Sequence, residues 1–233
     1  MIKFLPIFLL VLGCERHTKK SYDVPEPKRF SKLQYHPNES DEPMGSFYYR
    51  PGGKTVITAP HGDHDINTDL LVRELCDRDE KLFKDATCIT ANGFRSKKNT
   101  TRSDVNRPTA KPHSKCLSQD PISRVVFEMY RRLVENPNVY VEIHGFTGSD
   151  SRKPDVVTRG ISITALQNAN VDGWNIGEKN VVYTASQNRE CGMLSMVGAY
   201  MHIELPRHMR NSADIVKRSD QLAKFILKAV GNR

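Results

Sequence analysis

Val139-Tyr140-Val141-Glu142-Ile143-His144-Gly145 reads as a buried strand that carries a histidine to its own end. Its residues are largely β-branched and aromatic, and strand alternation puts Tyr140, Glu142 and His144 on one face. The same arrangement stands earlier in the chain. The apolar run Thr55-Val56-Ile57-Thr58-Ala59, closed by Pro60, leads into His61-Gly62-Asp63-His64-Asp65. Gly62 lets the backbone turn sharply after the strand. Two strands that each end in His-Gly bring two imidazoles to the rim of one sheet, and the repetition is harder to produce by accident than either instance alone.

Around these two strands the pattern alternates. Leu71, Leu75 and Leu82 recur at helical spacing over 68–82, and Thr87 to Thr90 is a short strand. Asp120-Pro121 starts a helix with a cap residue and a first-turn proline, and Ile122, Val125, Val126, Met129 and Leu133 form its apolar face. Ile161 to Thr164, Val181 to Thr184 and Tyr200 to Leu205 read as further strands. The last helix starts near Ser212, with Ile215, Leu222, Phe225, Ile226 and Ala229 inward. Strands alternating with helices imply an α/β three-layer sandwich with a central mixed, largely parallel sheet, phosphorylase/hydrolase-like in class. Ligands in such sheets collect at the carboxyl ends of the strands, which is where both histidines fall.

The chain has 233 residues, 38% of them hydrophobic, enough for one domain with a substantial core. Residues 1–14 read as a secretory signal: a basic start at Lys3, a short apolar run from Phe4 to Leu12, then Gly13-Cys14. That run is too short to span a bilayer. Val11-Leu12-Gly13-Cys14 also resembles a bacterial lipobox, which predicts lipid attachment at Cys14 and a place in the cell envelope, in the periplasm or on the outer surface. Residues 15–45 are polar and proline-rich and read as a linker, which leaves 46–233 as a single domain. Cys76, Cys88, Cys116 and Cys191 allow two disulfides in an oxidising compartment, in any of three pairings. No CxxC pair is present, so zinc binding by cysteine is not expected.

The formal charge is +8, and much of it is concentrated in Arg95, Lys97, Lys98, Arg102, Arg107, Lys111 and Lys115, opposed within that stretch by Asp104. Phe94 is its one aromatic, so the interleaved stacking residues of a nucleic-acid surface are missing and no nucleic-acid partner is expected. Capture of a substrate bearing a carboxylate suits the stretch better. Arginine makes planar, bidentate contacts with carboxylates and can polarise a carbonyl, so Arg102 and Arg107 are candidate substrate groups, with Asn106 as a further donor.

Catalytic zinc takes three protein ligands and keeps a fourth position open. His61 and His144 supply two, and Asp65, Asp63 and His64 compete for the third. In Tyr200-Met201-His202-Ile203-Glu204-Leu205, alternation sets His202 and Glu204 on one face. A carboxylate late in a buried strand is costly unless paired or functional, and beside a metal Glu204 can take the proton of bound water and pass it to a leaving amine. The structural alternative is an ion pair from Glu204 to Arg207 or Arg210. The segment 146–180 is expected to line the pocket, with Thr147, Ser149, Arg159 and Trp174 as candidates.

Taken in order, Pro60-His61-Gly62, Asp65-Ile66-Asn67-Thr68, Asp104-Val105-Asn106-Arg107-Pro108, Glu142-Ile143-His144-Gly145 and His202-Ile203-Glu204-Leu205 resemble the motifs of the N-formylglutamate amidohydrolase-like proteins, which have a zinc carboxypeptidase-like fold. The resemblance spans about residues 55 to 210. It implies zinc on His61, His144 and a carboxylate, with Asp65 favoured over His64. It also implies Glu204 as general acid/base, Asn106 and Arg107 on the substrate, and hydrolysis of an amide next to a carboxylate. Carboxypeptidase relatives carry His-x-x-Glu, a spacing that falls on His64 here. Export turns the expected substrate from formylglutamate toward N-acyl amino acids, peptides, cell-wall fragments or poly-γ-glutamyl chains. The competing reading is a surface-anchored binding protein for acidic ligands that keeps the fold without the catalysis.

Overall fold

The computed structural model describes residues 30–37, 42–96, 98–99, 103–108, 121–146, 154–169 and 192–230. Its strands are β1 (Ser31–Tyr35), β2 (Gly45–Arg50), β3 (Thr55–Ala59), β4 (Thr87–Asn92), β5 (Val139–Phe146), β6 (Asp155–Arg159) and β7 (Tyr200–Pro206). They form one sheet in the order β1-β2-β4-β3-β5-β7-β6. The central four, β4, β3, β5 and β7, run parallel, and β1, β2 and β6 join antiparallel at the two sides. The α/β class and the mixed, largely parallel sheet are therefore as the sequence implies.

Period-two alternation sorts the strand residues onto two faces. Ile57, Ala59, Val141, Ile143, Met201, Ile203 and Leu205 point to one face. There they pack under α1 (Thr68–Cys76), α4 (Ile163–Asn168) and the last helix, α6 (Ile215–Val230). Val56, Ile89, Tyr140, Val157 and Tyr200 point to the other, under Val126, Phe127, Tyr130 and Val134 of α3 (Pro121–Val134). Short helices α2 (Lys81–Lys84) and α5 (Met193–Met196) and two 3-10 turns, Arg207–Arg210 and Ser212–Asp214, complete the described elements. Each fully buried large apolar side chain contributes about 1.5–3 kcal/mol, so both faces are firmly held. Toward the carboxyl ends of the strands the α3 face turns polar. Tyr130 OH meets Thr58 Oγ1 at 2.6 Å and Tyr140 OH at 2.9 Å, and beyond them lie Glu142, His144, His202 and Glu204.

Three local expectations are corrected. Ser31–Tyr35, inside the segment expected to be linker, pairs with β2 as an edge strand, because Leu33 and Tyr35 alternate with polar residues and pack on the core. Ile161 to Thr164 is not a strand. β6 ends at Arg159, Gly160 with a φ of +70° turns the chain, and Ala165 N donates to Ser162 Oγ (3.3 Å) at the start of α4. The helix expected over 68–82 stops at Cys76 and resumes as α2. The expected strand Val181–Thr184 lies outside the described residues, as do Cys14, Cys116 and Cys191. Among the described residues no helix is long and apolar enough to cross a membrane.

Cys76 and Cys88 are bonded to each other, tying the end of α1 to β4. Beside them Arg50 is buried and donates to the carbonyls of Cys76, Phe83 (2.7 Å) and Ala86 (3.2 Å). The bridge closes a loop with a sequence separation of 12, for which chain entropy gives about 3 kcal/mol. Replacing both Cys76 and Cys88 by Ser is expected to lower the urea-unfolding free energy by about 2–3 kcal/mol, measured against the oxidised parent; an unchanged midpoint would contradict that role.

Candidate metal centre

β3 and β5 are adjacent and parallel, with Thr58 aligned to Glu142, so their carboxyl ends open on the same edge of the sheet. After β3 the chain makes one tight turn in which Asp65 N donates to His61 O (2.7 Å). That i to i+4 bond has helical spacing and brings the Asp65 side chain back beside His61. Both are buried, at 6% and 5% exposed, whereas Asp63 and His64 of the same turn face solvent. The turn thus brings Asp65, and neither His64 nor Asp63, to the buried side together with His61. Asp65 Oδ2 lies 3.0 Å from His144 Nδ1 and 3.5 Å from His61 Nδ1.

Two trios of ligand-type residues converge here: His61, Asp65 and His144, and Glu142, His144 and His202. Ring geometry separates them. A histidine nitrogen binds a metal in the plane of its own ring. The His61 and His144 rings stand at 69° with centroids 4.8 Å apart, so their planes cross close by. Ligand atoms around a tetrahedral zinc at about 2.1 Å are about 3.4 Å apart, close to the two Asp65 distances. The His144 and His202 rings are instead stacked, 29° from parallel at 4.6 Å. Planes that nearly parallel meet far from both nitrogens, so the second trio does not fit a shared ion. It fits a hydrogen-bonded support.

The other nitrogens of the first trio strengthen this assignment. His61 Nε2 stands 3.3 Å from Asp104 Oδ1 with no formed hydrogen bond, and His144 Nε2 is 2.7 Å from Glu142 Oε1. Each histidine thus turns Nδ1 to the common point and Nε2 to a buried carboxylate, the arrangement that orients imidazole ligands and makes them more basic. Burial works against the charge on Asp104, but His61, Arg107 and Arg95 outweigh it and hold its carboxyl well below the usual range. Burial likewise opposes ionisation of Glu142, and His144 and His202 overcome it. His144 bonds Asp65 and Glu142 at its two nitrogens; burial disfavours its charge, yet these acids raise its pKa well above the ordinary value.

Glu204 flanks this point. The β5–β7 register aligns it with His144, and its side chain is 13% exposed. Its ion pair is with His202 Nε2 (3.2 Å), while Arg210 spends its guanidinium on the carbonyls of Ile66 (2.7 Å), Phe146 (3.1 Å) and Leu205 (3.2 Å). Gly145 lets that guanidinium approach; a Cβ there would overlap it. Gly62 has the same purpose, since a Cβ would run into Asn92 and come within 2.6 Å of Asp69 Cβ.

The arginine motif is also at the site, already engaged with protein acids. Arg107 Nε donates to Asp104 Oδ2 (2.6 Å), Asn106 Nδ2 donates to Glu142 Oε1, and Asn106 is 2% exposed. Arg95, singled out in sequence only as one of the basic run, reaches Asp104 Oδ1 (3.0 Å) and lies 3.3 Å from His61 Nδ1. Arg102, Thr147, Ser149 and Trp174 fall outside the described residues. Arg159 does not line this pocket: it is aligned with Tyr200 at the opposite end of β7 and donates to Leu194 O (3.0 Å).

No family profile and no curated protein matches the chain. Solved structures match its fold. A bacteriophage poly-γ-glutamate hydrolase is similar over 84% of this chain and 94% of its own length, with a TM-score of 0.51 and 11% identity. A candidate carboxypeptidase from Burkholderia mallei is similar over 89% of this chain and 64% of its own, with a TM-score of 0.50 and 14% identity. At these identities the likeness establishes a shared α/β fold. Both neighbours carry peptidase or hydrolase descriptions, and neither singles out the N-formylglutamate amidohydrolases.

His61→Ala, Asp65→Ala and His144→Ala are each expected to abolish bound zinc by elemental analysis, with His64→Ala retaining it; loss in His64→Ala alone would overturn the assignment. Asp104→Asn and Glu142→Gln should weaken zinc about 10–100-fold. The proton on His144 adds a pH dependence. A raised pKa favours the protonated ring in the metal-free site, and a metal needs the neutral ring. Zinc affinity should therefore fall as pH drops from 8 to 6, read by chelator competition; a flat profile would contradict it.

Proposed function

We propose that this chain is a zinc-dependent hydrolase that cleaves an amide bond next to a carboxylate, with polymers or peptides linked through γ-glutamyl groups as its substrate class. The observation that carries this is the convergence of His61 Nδ1, His144 Nδ1 and Asp65 Oδ2, each imidazole backed by a buried acid, with Glu204 one strand away. A zinc ion held there supplies an acidified water and a Lewis acid for the carbonyl oxygen.

The chain's own residues do the rest. Glu204 is partly open to the site, so its carboxylate oxygens accept a proton from the attacking water and return it to the leaving nitrogen. Arg95 and Arg107 give the rim a positive edge for a substrate carboxylate; Asp104 is shared between them, so the two guanidiniums keep a net positive charge there. Arg107 is also placed to steady the scissile carbonyl. Arg210 binds no substrate in this reading and holds the turn after β3 to the ends of β5 and β7. Poly-γ-glutamate carries a carboxylate at every residue, and a structural neighbour is a hydrolase of that polymer, which makes it the first substrate to try.

With zinc-loaded protein and poly-γ-glutamate, Glu204→Gln is expected to lose about 10²–10⁴-fold in rate while zinc content stays unchanged. A Glu204→Gln variant as fast as the parent would remove Glu204 from the chemistry. A parent that holds zinc but cleaves neither this polymer nor N-acyl amino acids nor peptides would instead favour a binding protein.

A further inference from the structure

His202 is the one imidazole of this cluster outside the proposed ligand set. It is 3% exposed and cannot reach solvent. The β5–β7 register pairs Glu142 with His202 and His144 with Glu204, and alternation brings all four to one face. They form a square in which acids and imidazoles alternate at the corners. Along β5, Glu142 holds His144 at 2.7 Å; along β7, His202 Nε2 holds Glu204 Oε1 at 3.2 Å. Across the strands the two rings stack, and His202 Nδ1 faces Glu142 Oε2 at 3.6 Å, buried and without a hydrogen bond.

We propose that His202 is a positioning residue that aims the Glu204 carboxylate through Nε2 while its stacked ring keeps His144 in place. It touches no substrate. This rests on the reading of Glu204 as the proton acceptor. Glutamate has three rotatable bonds, and a partly exposed carboxylate at a strand end has several orientations open to it. A hydrogen bond from a buried, stacked ring selects one of them. The ring cannot shift to follow the carboxylate, because His144 lies on its face and Val157 of β6 is its aligned neighbour on the far side.

Two variants separate positioning from packing. His202→Leu keeps bulk and removes both nitrogens. His202→Gln offers an amide nitrogen near the place of Nε2. With zinc loaded and poly-γ-glutamate as substrate, His202→Leu is expected to keep its zinc and its KM and to lose about 10–100-fold in kcat. His202→Gln should recover most of that loss. Because His202 acts through Glu204, the double variant His202→Leu, Glu204→Gln should be no slower than Glu204→Gln alone. Equal impairment of the Leu and Gln variants, or losses that multiply in the double variant, would overturn the proposal. The parent, His202→Leu, Glu204→Gln and the double variant are also compared by urea unfolding, which needs no substrate. Non-additive unfolding free energies support the His202–Glu204 contact even if the polymer is not cleaved, in which case only the substrate reading fails; additive values overturn the contact itself.

Discussion

The register of β5 against β7 is the constraint on which the site depends. It aligns Glu142 with His202 and His144 with Glu204, so that each acid on this face has an imidazole beside it along its own strand and another across the strands. A carboxylate taken out of water costs several kcal/mol unless a partner compensates it. Here the compensation is built into strand geometry. A slip of one residue would turn Glu142, His144, His202 and Glu204 toward α1, α4 and α6 and bury them in hydrocarbon. The same slip would bring Val141, Ile143, Met201 and Ile203 to the polar face. The apolar alternation and the polar square therefore enforce one register together, and neither is separable from the other.

The loops at the carboxyl edge follow from that frame. β3 runs parallel to β5, so the turn after Ala59 has to end beside His144, and its helical spacing returns Asp65 to the point that both Nδ1 atoms face. Arg210 then ties this turn to the ends of β5 and β7 through three backbone carbonyls. Its guanidinium lies where Gly145 has no side chain. A glycine after each histidine is thus a packing requirement: Gly145 admits Arg210, and Gly62 admits Asn92 and Asp69. At the opposite edge of the sheet, where β2 ends and β4 begins, Arg50 performs a comparable task around the Cys76–Cys88 bridge.

Much of this was legible in one dimension because strands report their faces directly. The pairs Glu142/His144 and His202/Glu204 could be put on common faces from alternation alone, and His61 and His144 at the carboxyl edge from their place after apolar runs. Elements whose signal is weaker were misread. Ser31–Tyr35 has only Leu33 and Tyr35 to announce a strand, and its pairing is with a distant segment. Ile161 to Thr164 is apolar and β-branched, yet Gly160 and the Ser162 cap convert it into a helix start. Arg95 and Asp104 looked like members of a charged loop, since nothing in their spacing shows that they close on His61.

The class of fold and the shared faces of Glu142 with His144 and of His202 with Glu204 follow from the amino-acid order alone, because both are written in short-range periodicity: two for strands, near four for helices. The choice among Asp63, His64 and Asp65 belonged to the tertiary structure, which buries one of three neighbours and exposes the others. So did the difference between a trio that fits an ion and a trio that supports it. That difference is one of angle, 69° between one pair of rings and 29° between the other, and ring angles depend on how strands far apart in the chain lie side by side.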